Sequence, residues 1–202
     1  VRFASMSDGN FIEPLNSFKK HEKRLAKYQQ RMSRKTKFSK NWHKAKRKVQ
    51  RIHTTIANTR KDFLHKKTAE ISKNHAMVAV EDLQIRNLTK SAVGTAEKPG
   101  KNVAAKSGLN KAILDQGWAE FRRQLDYKLA WTGGHLIVVP PQNTSRTCPA
   151  CGHVSADNRQ TQAKFLCVEC GFEENADVVG AINILRAGHA RCACEVSGAV
   201  MP

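Results

Sequence analysis

Apolar positions recur along this chain in two different periods. Leu25, Tyr28 and Met32, and then Val49, Ile52, Ile56 and Phe63, step by three, four and seven residues, which is the spacing of one helix face. No Gly or Pro interrupts residues 17–74, and helix formers dominate them. The polar stretch 33–41 between the two stripes predicts a bend, and the whole predicts a long helical hairpin. Ahead of it, residues 1–15 carry apolar patches around Ser7-Asp8-Gly9-Asn10, where Asp-Gly marks a tight turn and predicts a β-hairpin. Behind it, the short run Met77 to Leu83 reads as a buried strand ending in the carboxylates Glu81 and Asp82. Residues 86–108, with three Gly, one Pro and several Lys, read as a mobile loop. Helical periodicity returns from Leu109 to Trp131 and stops at Gly133-Gly134. His135 to Val139 is a second strand, ended by Pro140-Pro141. Asp177 to Ala187 predicts a short apolar helix capped by Gly188, and no period is visible from His189 onward. Hairpin, helices, strand, helix, strand, insert and helix make a mixed α/β order.

Charge changes this picture most. The 202 residues hold 35 Lys or Arg against 17 Asp or Glu, a net +18 with a sequence pI near 10.0. That excess points to a polyanion, nucleic acid first and an anionic membrane second. No apolar run approaches the roughly 18–20 residues of a membrane span, and no leader pattern is visible, so the chain reads as soluble, intracellular and cytoplasmic. Because it starts at Val1 rather than Met, it is expected to be a fragment. A 40% share of hydrophobic residues is too high for wholesale disorder and enough for one domain, or one domain and a small module.

The basic residues are concentrated. Residues 19–67 hold nineteen Lys or Arg against Glu22 and Asp62, which is +17 of the net +18. Lysines and arginines are ordinarily a solvated helix face, but an unbalanced run this long repels itself unless a polyanion lies against it. Phosphate contact is therefore expected here, with Lys35, Lys37, Lys40, Lys44, Lys46, Arg47, Lys48 and Arg51 as the candidate contacts. Tyr28, Phe38 and Trp42, interleaved with them, either stack on bases or pack internally.

The six cysteines are not spread like a disulfide framework. Four form Cys148-x2-Cys151 and Cys167-x2-Cys170, separated by the fifteen residues 152–166, which is the spacing of a structural zinc site. Pro149, Gly152 and Gly171 suit the tight knuckle turns. Four thiolates would close the shell around Zn2+ and leave no place for a catalytic water. His153 then reads as a surface residue, and Cys192 and Cys194 as incidental thiols.

Acids are scarce, so their positions carry weight. Glu81 and Asp82 end an apolar strand and Asp177 opens a helix. Two-metal phosphodiester chemistry gathers carboxylates at such element ends to hold Mg2+ or Mn2+. The same acids are equally consistent with a solvated strand terminus at Glu81 and Asp82 and with Asp177 as a helix N-cap or first-turn acid.

These motifs in this order resemble the RuvC-like nuclease part of the TnpB (OrfB) proteins of bacterial and archaeal insertion sequences. The resemblance rests on Ser7-Asp8-Gly9, on Arg60-Lys61-Asp62-Phe63-Leu64-His65-Lys66 closing the basic hairpin, and on Val80-Glu81-Asp82-Leu83. It continues through Gly117-Trp118-Ala119-Glu120-Phe121, Thr144-Ser145-Arg146-Thr147-Cys148-Pro149-Ala150-Cys151-Gly152, Asn175-Ala176-Asp177 and Ala181-Ile182-Asn183-Ile184, nearly to the end of the chain. It implies an RNase H-like (RuvC-like) core, in the α/β class, with an inserted zinc ribbon, and an RNA-guided DNA endonuclease similar to the type V CRISPR nucleases. It also implies DNA and a guide RNA as partners, no membrane, and Zn2+ on the four cysteines. Glu81 matches the family's second catalytic carboxylate and Asp177 its third; the first lies on a strand preceding the residues that Val1-Arg2-Phe3-Ala4 resemble. Asp8 is the turn residue of the hairpin and does not replace it. Val178-Val179-Gly180 stand where the family usually has an Asn and small residues.

The expected organisation is a partial nuclease core over 1–143, including the basic hairpin at about 17–74. A ribbon follows at 144–172, then a closing helix at 173–188 and a tail at 189–202. Without its first carboxylate the chain is expected to be inactive alone. Two rival readings remain at this point: a non-catalytic zinc-ribbon module that binds nucleic acid, and a transposon remnant.

Overall fold

A computed structural model describes the backbone of residues 2–198 and the side chains of residues 2–193. Its elements in chain order are β1 (Ala4–Ser5), β2 (Phe11–Ile12), α1 (Ser17–Ser33), α2 (Lys40–Asn74), β3 (Met77–Glu81), α3 (Ile85–Leu88), α4 (Val103–Gln116), α5 (Trp118–Trp131), β4 (His135–Val139), β5 (Lys164–Leu166), β6 (Glu173–Asn175) and α6 (Ala176–Gly198). They form two compact units. One comprises Val1–Pro14, Ala69–Leu83 and Leu125–Pro202; the other comprises Leu15–Thr68 and Gln84–Gln124.

In the first unit, β1 and β2 pair antiparallel around the Asp8-Gly9 turn, with Ala4 opposite Ile12. Gly9 takes φ +85°, and the Asp8 carboxylate accepts both the backbone N–H and the side-chain amide of Asn10. β3 and β4 pair in parallel from Met77 opposite His135 to Glu81 opposite Val139. Their continuous apolar runs suit a sheet covered on both faces. α6 packs against both strands, and Leu125, Leu129 and Val179 are fully buried in the same unit. β5 and β6 form a short antiparallel ribbon, Lys164 opposite Asn175. Phe165 is fully buried there against Cys148, Cys167, Ala176 and Val179.

In the second unit, α1 and α2 fold back on each other through Leu25, Val49, Ile52 and Ile56, with Phe18, Tyr28 and Met32 against them. This is the hairpin the periodicity predicts. Asn16, at the N-cap position of α1, is left-handed and makes no side-chain cap. The buried carboxylate of Asp115 caps the helix instead, accepting the Phe18 N–H at 2.9 Å on both oxygens, with Arg60 3.7 Å away as counter-ion. An acid at a helix N-terminus answers both its free N–H groups and its dipole. The fully buried Gln124 is satisfied in the same way, accepting from Thr68 and donating to Glu120.

Three expectations need correcting. Residues 86–108 are not one loop: α3 occupies Ile85–Leu88 and α4 already begins at Val103, after Asn102 turns the backbone at φ +55°. Helical periodicity from Leu109 to Trp131 conceals two helices. Gly117, at φ +75°, breaks it, and an added Cβ there would lie 3.2 Å from Leu64 and 3.3 Å from Arg60. The closing helix does not stop at Gly188 but runs through it to Gly198, so residues 189–198 are helical rather than an aperiodic tail. Gly188 is a contact glycine: a Cβ there would sit 2.7 Å from the Ala79 Cβ. Cys192 is a half-buried free thiol, and the side chain of Cys194 lies outside the described residues.

Gly188→Ala therefore forces α6 off β3 and is expected to cost about 1–3 kcal/mol, the usual range for overpacking. Thermal melts followed by circular dichroism measure it, and Ala79→Gly in the same chain should restore the loss. If Gly188→Ala melts like the parent, the close approach of α6 to β3 is wrong.

Candidate metal centre and nucleic-acid interface

The cysteine centre is made by two matching turns. In each, the backbone N–H of the first cysteine is satisfied across the knuckle: Cys148 donates to the His153 carbonyl at 2.8 Å, and Cys167 to that of Phe172 at 2.9 Å. The glycine after each second cysteine donates back, Gly152 to Cys148 and Gly171 to Cys167, with φ +78° and +73°. Asn158, fully buried, ties the two turns together. Its amide nitrogen donates to the carbonyls of Arg146 and His153, and its oxygen accepts the Val168 N–H. The four Sγ atoms lie within 4.8 Å of one another, with Cys148–Cys170 and Cys151–Cys167 both at 3.6 Å. A disulfide needs about 2.05 Å. A tetrahedron with metal–sulfur bonds of about 2.3 Å has edges near 3.8 Å. The cluster is thus spaced to hold a metal ion, and His153 is not part of it.

The two carboxylates come from the same unit. Glu81 ends β3, half-buried; burial pushes its carboxyl above the usual glutamate range, and the charge of Arg159 opposes that rise. Asp177 lies in the first turn of α6, where its N–H donates to Asn175 Oδ1 at 3.0 Å. Asn175 is the cap, and the Asp177 carboxylate is left to face Arg159, whose guanidinium lies 3.3 Å from Oδ1 and also donates to the Gln162 carbonyl. Arg159 thus acts electrostatically on both acids. Sequence reasoning missed it, since a lone Arg in the spacer between knuckles carries no spacing signal. Asp8 is held by Asn10, and its carboxyl is pulled below the usual range by that backbone hydrogen bond. Among the described residues, the four cysteines make the single group of three or more potential metal ligands, so no third acid joins Glu81 and Asp177.

All eight candidate phosphate contacts, Lys35, Lys37, Lys40, Lys44, Lys46, Arg47, Lys48 and Arg51, are exposed. Lys40, Lys44, Arg47 and Arg51 recur at four, three and four residues and so follow one face of α2. Lys46 turns instead over the Trp42 ring at 5.1 Å, and Lys48 lies 5.7 Å from the Tyr28 ring. None of the eight has a carboxylate partner among the described residues. Replacing Lys44, Lys46, Arg47 and Lys48 by Gln is expected to weaken binding to every sequence alike. It should also flatten the salt dependence by up to about 4 in log–log slope. Titrations at several salt concentrations read both numbers; an unchanged slope would place the footprint elsewhere.

No helix among the described residues is long and apolar enough to cross a membrane. Residues 1–92 match the family described as "Probable transposase" (OrfB_IS605), and residues 118–184 match "Cas12f1-like, TNB domain". The chain is 58% identical over 194 residues to "Putative RNA-guided DNA endonuclease InsQ" of Escherichia coli (strain K12), covering 96% of this chain and 48% of that protein. It is 40% identical over 180 residues to a "Putative RNA-guided DNA endonuclease" of Streptomyces pristinaespiralis, covering 87% of this chain and 41% of that one. The chain thus spans less than half the length of these relatives. Its fold is similar to the protein in "Cryo-EM structure of the Cas12f1-sgRNA-target DNA complex", with a TM-score of 0.53 and 21% identity over 87% of this chain and 43% of that one. It is similar as well to that in "Cryo-EM structure of CRISPR-Cas12f Ternary Complex", with a TM-score of 0.54 and 22% identity over 87% and 34%.

Proposed function

The chain belongs to the OrfB (TnpB) family, and on that premise we propose that it is the nuclease part of an RNA-guided DNA endonuclease acting in the cytoplasm. In this reading residues 1–143 and α6 (Ala176–Gly198) belong to an RNase H-like (RuvC-like) core. Residues 144–172, with the strand β6 that pairs to β5, are its zinc ribbon; the closing helix thus starts at Ala176 and not at 173. Glu81 and Asp177 are two of the carboxylates that hold Mg2+ or Mn2+, and a further acid from outside the described residues completes the set. A divalent ion there activates water and stabilises the leaving oxygen of the scissile phosphodiester. Glu81 and Asp177 supply ligand oxygens, and Arg159 balances their charge until a cation takes that role. The exposed basic face of α2 holds guide RNA or DNA through phosphates.

The observation that supports this reading best is the pairing of Glu81 and Asp177 around Arg159. A half-buried strand end and a helix start, ninety-six residues apart in sequence, each carry an acid within the field of one cation: Arg159 pairs with Asp177 at 3.3 Å, and its charge opposes the burial-driven rise of Glu81. Glu81 is half-buried with a raised carboxyl, unlike a solvated strand terminus, and Asp177, a first-turn acid of α6, leaves the capping to Asn175 and turns its carboxylate to Arg159. The test fuses residues 1–202 behind the portion of the E. coli relative that precedes its matched region and supplies that relative's guide RNA. Cleavage of a guide-matched plasmid with Mg2+, and none of a mismatched one, is expected. Equal cleavage of both plasmids would overturn the guided reading.

A further inference from the structure

The turn between α1 and α2 carries a feature that phosphate contact leaves unexplained. Phe38 is 68% exposed and its backbone is left-handed, at φ +67°. A bulky residue with positive φ is a genuine outlier, and Gly or Asn would serve the turn with less strain. The fold recovers almost nothing from the ring, which stays largely in water. Its neighbours are arranged: Trp42 stands 5.4 Å away at 58°, and His43 lies edge-on to Trp42 at 5.1 Å. Trp42 lies in the first turn of α2, where its backbone N–H donates to the Ser39 hydroxyl at 3.2 Å. Lys37 lies 5.2 Å from the Phe38 ring and Lys46 5.1 Å from the Trp42 ring. From Arg31 to Arg51, both included, there are ten Lys or Arg and no Asp or Glu.

We infer that this turn is a stacking site for an unpaired nucleobase of a single strand, with Phe38 and Trp42 as the platform and the surrounding cations on the flanking phosphates. The inference rests on the reading that the basic hairpin engages nucleic acid, and adds where it meets a base. Charge selects a polyanion, and an exposed Phe38 ring beside the half-buried Trp42 selects one that offers a flat π face. A duplex keeps its bases stacked on each other and presents only phosphates to the tip. Stacking is tolerant of sequence because every base has such a face. Telling RNA from DNA takes a partner for the 2′-hydroxyl. Stacking on a ring does not itself read that hydroxyl, so the site is expected to take either sugar.

The test titrates the 202-residue chain with oligothymidylate, oligouridylate and a hairpin duplex of matched charge. Phe38→Gly removes the ring and relieves the backbone, and Trp42→Leu is the second variant. Each should weaken both single strands roughly ten-fold, within the range for one stacked base, and leave duplex affinity and the salt slope unchanged. The melting temperature of Phe38→Gly should hold or rise, which a merely structural ring would not allow. Equal losses for strand and duplex, no loss for either, or a ring effect confined to one sugar would each overturn the inference. The Lys-to-Gln variants separate the two readings. If they weaken binding while the ring variants do not, the stacking site alone fails; if neither does, the hairpin reading fails with it.

Discussion

Cys167→Ser is expected to strip the metal from this protein and unfold its ribbon. The segment has little else to hold it: β5 and β6 are three residues each, and their buried cluster includes two of the ligands themselves, Cys148 and Cys167. Four thiolates packed within 4.8 Å repel one another without a cation between them. Structural zinc contributes about 10–16 kcal/mol in comparable small sites, far more than burial of Phe165 at about 3 kcal/mol. Elemental analysis should therefore fall from close to one zinc per chain to near none. Amide exchange over residues 144–175 should collapse in the variant, and in the parent treated with a strong chelator. The loss should also travel, because Arg159 sits between the knuckles and is placed by the Arg159–Phe165 bridge. Without the ribbon, Asp177 loses its ion pair with Arg159. Full zinc content in Cys167→Ser would refute the four-thiolate centre.

The second large effect is an absence. Residues 1–202 alone are expected to give no metal-dependent cleavage of supercoiled or single-stranded DNA above a chelated control. Two-metal hydrolysis places its ions about 4 Å apart on bridging carboxylates, and Glu81 and Asp177 are joined by no third acid among the described residues. A cation at Asp177 would also have to displace its ion pair with Arg159 at 3.3 Å. Asp8 cannot fill the gap, since its carboxylate closes the β1–β2 turn through Asn10. A nicking assay with Mg2+ and Mn2+ measures this. Robust cleavage by the bare chain, lost in Asp8→Ala, would show that the turn acid is catalytic after all.

Much of this was legible from residue order because the signals were strong and local. Asp8-Gly9 specified its turn, the Leu25 and Val49 stripes specified the hairpin, and two C-x2-C pairs specified a four-cysteine cluster spaced for a metal ion. What stayed hidden depended on distant partners. Gly117 lies between good helix formers, so only its positive φ against Leu64 and Arg60 shows the break. Gly188 looks like a helix stop until Ala79 is seen 2.7 Å from where its Cβ would be. Val103 to Gly108 read as loop because the preceding Gly and Pro dominated the window, yet Asn102 starts a helix there. Asp115 as the cap of α1, Asn158 as the tie of the ribbon and Arg159 beside both acids have no periodicity at all. Their partners lie from five to nearly a hundred residues away, and only folding makes them neighbours.

The central claim is that Glu81 and Asp177 are catalytic carboxylates of a guided nuclease. It is tested most directly by single-turnover cleavage of guide-matched DNA by the fusion protein with Mg2+, beside its Glu81→Ala and Asp177→Ala variants. The account predicts guided product from the parent fusion and a loss of roughly a thousand-fold or more in each variant, about 4 kcal/mol of barrier, with guide RNA still bound. Cleavage by Asp177→Ala at the parent rate would contradict it.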